Sequence, residues 1–244
     1  MMDASIKGDL ALGAKQLGIK LDQKQLVKFG IYEELIEEWS RHTNLISSNS
    51  REVLVARHLL DSLSCLTMNH ISRADNKVVD IGAGAGLPGI PVKIAAPEIS
   101  LTLLEASAKR ARFLEHVLDA LQLDGVRVEC CRAEDFARIE TERESYDIAL
   151  ARAVAPMPTL LEYALPLIKP GGILIAQRGK NVKAEMQGAA FANSLLGGEL
   201  EEIKRVKVPF LQATRHLVII RKKQRTPEQY PRRTGVPFKR PLKG

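Results

Sequence analysis

The stretch "VVDIGAGAGLPGIP", Val78 to Pro91, decides the reading of this chain. An apolar run enters a loop with glycines at 82, 84, 86 and 89, and Asp80 sits at the junction. A bare strand-to-helix turn needs one or two glycines. Several in succession let the backbone approach a nucleotide-like ligand closely. Gly84, Gly86 and Gly89 also spell G-x-G-x-x-G, the dinucleotide fingerprint. The loop alone therefore leaves a dinucleotide enzyme open.

Working outward, strand and helix patterns alternate. "KVVDI", "SLTLLE", "VRVECC", "YDIALARA" and "KPGGILIAQ" read as strands. "GLPGIPVKIAA", "SAKRARFLEHVLDALQL", "TLLEYALPLI" and "KAEMQGAAFANSLL" read as helices. "LEEIKRVKVPF" and "RHLVIIRKK" close the series with no helix between them. Alternation predicts a doubly wound, mostly parallel α/β sheet, and the closing pair predicts an antiparallel last strand. Residues 1–75 read as a helical N-terminal region, with helices over "QLVKFGIYEELIEEWSRHTNLI" and "SREVLVARHLLDSLSCL", Ser50 capping the second. Residues 76–222 form the ligand-binding domain and 223–244 a basic tail.

Charge at the glycine loop points to the ligand. Asp80 at the strand end would repel an anionic pyrophosphate. At about 4 Å and an effective dielectric of 20, a like-charge pair costs about 4 kcal/mol. S-adenosyl-L-methionine has no phosphate and carries an ammonium and a sulfonium, so an acid there attracts it. Glu105 ends the second strand, where it can accept from both ribose hydroxyls. Glu134, in "CCRAEDF", follows the third strand, where a carboxylate can accept from the adenine amino group. Acids at three successive strand ends fall on the ligand-binding edge of such a sheet. The competing roles are a backbone brace for Asp80 and solvated loop positions for the other two.

Net charge is +7. Arg221 to Gly244 carry nine Lys/Arg against one acid, Glu228, which is +8; the other 220 residues carry 27 basic and 28 acidic side chains, which is −1. The excess is thus confined to the end of the chain, with Tyr230 and Phe238 among the cations, a composition suited to nucleic acid. The three cysteines, Cys65, Cys130 and Cys131, show no metal or disulfide pattern. No metal is expected. The polar start and the lack of an apolar run of about 18 residues argue for a soluble cytoplasmic protein with no membrane contact, expected as a monomer.

Five segments in order resemble the RsmG (GidB) family of 16S ribosomal RNA methyltransferases: "RHLLDSL", "DIGAGAGLPGIP", "KRARFL", "RAED" and "YPRRTGVPFKRPL". Departures are "WSRHTNL" for the family's W-N-K-x-x-N-L, "ARA" for its S-R-A, and Arg178-Gly179 for a lysine-glycine. The resemblance implies a class I S-adenosylmethionine-dependent fold and methylation of N7 of one guanine, position 527, in 16S rRNA. It implies Gly82, Gly84, Leu87, Ala133, Glu134 and Arg152 at the cofactor site, with Asp80 beside them and Glu105, Ala106 and Ser107 at the ribose edge. Arg152 would hold the methionine carboxylate or position the target base. Asn44, Arg57, His58 and Asp61 would face the RNA, or His58 and Asp61 would tie the helices together. Arg232, Arg233, Lys239 and Arg240 would grip phosphates. Two readings compete: an NAD-linked oxidoreductase, and a non-catalytic RNA-binding protein with the same fold.

Overall fold

The structure, a computed structural model, describes residues 4–43, 45–46, 54–68, 70–71 and 75–243. The strands are β1 (Lys77–Ile81), β2 (Ser100–Leu104), β3 (Val126–Glu129), β4 (Tyr146–Arg152), β5 (Ile168–Arg178), β6 (Gly198–Val206) and β7 (Arg215–Lys222). They form one sheet in the order β3-β2-β1-β4-β5-β7-β6. Strands β1 to β5 are parallel, and β7 runs antiparallel to both β5 and β6. The doubly wound sheet and its antiparallel last strand match the sequence pattern. Between β1 and β4 the chain order departs in both directions. Such a switch point opens a crevice outside the carboxyl ends of the strands.

Helices cover both faces. The first is α1 (Ala4–Gln16). The second, α2 (Gln23–Ser40), is capped by Asp22 and Gln25 in a reciprocal box. A continuous helical run follows, termed α3: Leu54–Leu60 in π geometry, Asp61–Leu63 in α geometry and Ser64–Thr67 in 3₁₀ geometry. The expected cap at Ser50 lies outside the described residues. Next come α4 (Gly89–Ala95), α5 (Ala108–Leu121), α6 (Ala133–Phe136) and α7 (Met157–Ala164). The helix expected over "KAEMQGAAFANSLL" is two pieces, α8 (Val182–Gln187) and α9 (Ala190–Leu195), parted at Gly188. Glycine weakens a helix interior by about 1 kcal/mol relative to alanine, which favours the break. The tail holds α10 (Val236–Lys239).

Alternation along the buried strands sends consecutive side chains to opposite faces. Val78, Leu101, Leu103, Ile148, Leu150, Ile173 and Ile175 join one core with Phe29, Tyr32 and Ile36 of α2 and Leu59, Leu60 and Leu63 of α3. Val79, Ile81, Ala149, Ala151, Leu174 and Ala176 join the other with Met157, Leu160, Leu161 and Ala164 of α7. The N-terminal helices thus form one face of the ligand-binding domain. No described helix is long and apolar enough to cross a membrane.

Candidate active site

Register brings the strand ends level. Ile81 pairs with Leu104 on one side and Ala151 on the other. The glycine loop after β1, Glu105 after β2, α6 after β3 and Arg152 at the end of β4 therefore lie along one edge of the sheet. Gly82, Gly84 and Gly86 have φ of +66°, +60° and +90°, a region that side chains other than glycine rarely adopt. A Cβ at Gly84 would meet only Gly82 O, at 3.8 Å, so this loop presents open backbone. At Gly89, by contrast, a Cβ would lie 2.7 Å from Asp80 Oδ2 and 2.8 Å from Leu103 Cδ2. Here glycine allows α4 to press against the sheet.

Asp80 occupies that contact. Its carboxylate is fully buried, and Oδ2 accepts from the Gly89 N–H at 2.8 Å. Oδ1 has no hydrogen-bond partner. Burial pushes the carboxyl up to about 7, against the pull of the Gly89 amide and of Arg152. Asp80 thus braces the loop from beneath, the role the sequence left open beside ligand binding.

Glu105 ties two segments together. Oε2 accepts from Gly84 N–H at 2.9 Å, and Oε1 from Ser107 N–H at 2.8 Å. Glu134 Oε1 accepts from Gly235 N–H at 2.9 Å. A cavity of about 70 Å³ between the strand ends is lined by Gly82, Ala106, Ala133, Glu134, Val154 and Tyr163, among others. Four residues expected at the cofactor site meet there. Leu87 instead packs in the core beside α2. Tyr32 is a residue the sequence reading missed. Fully buried on α2, it donates its hydroxyl to Ala85 O at 2.6 Å and so anchors the glycine loop to the N-terminal helices.

Arg152 turns toward α3. It donates to Arg57 O at 2.9 Å, lies 2.9 Å from His58 Nδ1 and approaches Asp61 Oδ2 at 3.7 Å. Because the guanidinium can only donate, His58 Nδ1 accepts and the proton sits on Nε2. Burial first, and then Arg152, Arg57 and Arg215, lower His58 to about 4. Asp61 Oδ2 also accepts from Arg215 Nε at 3.1 Å, and Asp61 O accepts from Gln177 Nε2 at 2.6 Å. His58 and Asp61 therefore tie α3 to β4, β5 and β7. Arg57 is exposed. Asn44 lies outside the described residues.

The tail is bound into the domain rather than trailing from it. Arg232 makes a two-pronged contact with Glu162 of α7, whose side chain is fully buried, at 2.6 and 2.8 Å. Arg143 donates to Tyr230 O and Thr226 O, Arg138 to Pro231 O, and Thr159 to Pro237 O. The expectation that Arg232 grips phosphate meets a physical obstacle, because its fork is committed to a buried carboxylate. Arg233, Lys239 and Arg240 are exposed.

Residues 25–218 match the GidB family, described as rRNA small subunit methyltransferase G. The chain belongs to this family. Two ribosomal RNA small subunit methyltransferases G, from Alkaliphilus metalliredigens and Alkaliphilus oremlandii, are each 40% identical. The first alignment covers 95% of this chain and 96% of the relative, the second 98% and 99%. Among solved structures, MtNAS in complex with MTA and tNA has a TM-score of 0.55 at 16% identity, covering 91% of this chain and 78% of that one. A mutant of MtNAS in complex with S-adenosylmethionine has the same TM-score and identity, covering 90% and 88%. At that identity these show the fold. Family membership makes the protein an S-adenosyl-L-methionine-dependent methyltransferase; the oxidoreductase and the non-catalytic alternatives are not favoured.

Proposed function

We propose that the protein transfers a methyl group from S-adenosyl-L-methionine to N7 of one guanine, position 527, in 16S rRNA of the small ribosomal subunit, in the cytoplasm. The match to the GidB family over residues 25–218 carries this reading. The bound donor supplies an electrophilic methyl on a sulfonium. Guanine N7 offers a lone pair and no proton, so in-line attack needs no general base. Rate then depends on orientation and on exclusion of water. Glu105, whose carboxylate accepts from Gly84 and Ser107, would also accept from the ribose hydroxyls; Glu134, Ala133 and Ala106, which line the cavity, would face the adenine. Arg152, held by Arg57 O and His58 Nδ1 of α3, would keep its charge at the acceptor side of the cleft. The exposed cations of the tail supply affinity for phosphates.

Labelled methyl transfer to 16S rRNA and to small subunits lacking the modification, mapped by mass spectrometry, tests this. Label on N7 of that one guanine is the expected result. Cofactor binding without label on any RNA form would discard the substrate and keep the fold.

A further inference from the structure

A second cavity, of about 320 Å³, opens beside the cofactor cleft at the carboxyl ends of β4 and β5 and is lined by Asp61, Arg152, Ala153, Gln177, Arg178, Gly179, Glu185 and Arg215. The size falls within the ~300–1,000 Å³ typical of ligand sites. It abuts the cofactor cavity along one short segment: Arg152 and Ala153 line one, and Val154 the other. Its chemistry is mixed. Three guanidiniums stand beside two carboxylates, whereas a phosphate presents acceptors alone and would call for donors.

Gln177 shows what is missing. The side chain is 5% exposed, and Nε2 must face Asp61 O at 2.6 Å, because a carbonyl can only accept. That orientation leaves Oε1 as a buried acceptor with no partner. Burying an acceptor unmatched costs about 1–3 kcal/mol, which a ligand donor would recover. Asp61 contributes a second acceptor. Arg215 and Arg152 hold its Oδ2, while Oδ1 has only the 3.4 Å approach of Gln177 Nε2.

We propose that this cavity receives the target guanine, with Asp61 and Gln177 Oε1 accepting from its N1–H and exocyclic amine. This inference rests on the function proposed above and names the base-reading site. Guanine is the nucleobase whose pairing edge carries two adjacent donor groups beside a carbonyl; adenine has no N1–H. Reading that edge leaves N7, on the imidazole ring, free of protein donors and available to the methyl group. Arg152 and Arg215 stand ready to donate to O6 while they orient Asp61.

The test compares small subunits carrying guanosine or inosine at the target position, since inosine lacks only the exocyclic amine. Wild-type enzyme is expected to favour guanosine by about 10- to 100-fold in kcat/KM, as expected when a site's buried acceptor is left unpaired. In Asp61→Asn and in Gln177→Leu, each checked for unchanged S-adenosylmethionine affinity, that preference is expected to shrink to within about threefold. Equal use of both subunits by the wild type overturns the base-reading site. So does a wild-type preference retained in both variants. Should Asp61→Asn not fold, the wild-type comparison and Gln177→Leu decide. If the wild type methylates neither subunit while binding cofactor, the proposed function itself falls, an outcome distinct from indifference to the amine.

Discussion

Gly235 of the tail donates its backbone N–H to Glu134 at 2.9 Å, across 101 residues of sequence, so the basic end of the chain touches the acid proposed above to face the adenine. Next to it, Arg232 and Arg233 have opposite fates. The first is locked onto buried Glu162, and the second is exposed. Removing one partner of a buried pair leaves an uncompensated charge, at a cost of about 3–5 kcal/mol. Arg232→Ala is therefore expected to lower Tm markedly and to weaken cofactor binding through the displaced Gly235. Replacing Arg233, Lys239 and Arg240 together by glutamine is expected to leave Tm close to wild type, each substitution changing stability by no more than about 0.5 kcal/mol, and to flatten the salt dependence of RNA binding. Thermal melts and salt titrations on both proteins check the contrast. Equal Tm values would show that the tail is not structurally bound.

Asp80→Asn separates bracing from charge attraction. Asparagine keeps an acceptor for the Gly89 amide and removes the ionisable group. Wild-type Asp80 has its carboxyl raised to about 7 in the fold, against about 3.9 when unfolded. Its favourable share of stability is complete below pH 4 and is lost as pH rises to 7. The variant should accordingly gain on the wild type across that window, by roughly 2–4 kcal/mol at the plateau. Denaturant unfolding at pH 4.5 and 8 measures the gain; a difference independent of pH would show that Asp80 does not carry the raised pKa.

Tyr32→Phe removes the single hydroxyl that joins α2 to the glycine loop. A lost buried hydrogen bond costs about 1–2 kcal/mol. A reduced Tm together with a several-fold weaker affinity for S-adenosylmethionine is expected, since the loop it fixes carries Gly84. Calorimetry that shows the stability loss with wild-type affinity would confine Tyr32 to the core.

The strands were legible because buried parallel strands are written as continuous apolar runs, as in "KVVDI" and "YDIALAR". The glycine loop was legible because positive φ demands glycine. What the sequence withheld is the direction of side chains and the partners of charges. Asp80 shares a face with Val78 and so points under α4, which is visible only once the sheet is built. Composition counted nine cations in the last 24 residues but could not say that Arg232 is spent internally. One trace was there to read: Glu162 stands alone among the apolar residues of "TLLEYALPLI", where an acid needs a partner. Tyr32, Gln177 and Arg215 act through contacts 53, 116 and 154 residues distant, beyond any local pattern.

His58 supplies the acid side of the pH profile. Neutral in the fold, it accepts from Arg152 at Nδ1, and Arg57 and Arg215 add to the repulsion a second proton would meet. Its value falls to about 4, against about 6.5 in the unfolded chain. A depressed base contributes stability in full above pH 6.5, and that share is lost as pH drops toward 4. The expected loss is about 1–3 kcal/mol. His58→Gln retains an acceptor for Arg152 and does not titrate, so its Tm should decline less steeply between pH 6.5 and 4.5. Because the same ring holds Arg152 at the edge of the cleft, methyl transfer by the folded wild type should persist through this window and fall only as pH approaches 4, where the ring takes its second proton. Parallel Tm curves for the two proteins would mean that His58 has the same pKa folded and unfolded, and the hydrogen bond from Arg152 would then have to be reassigned.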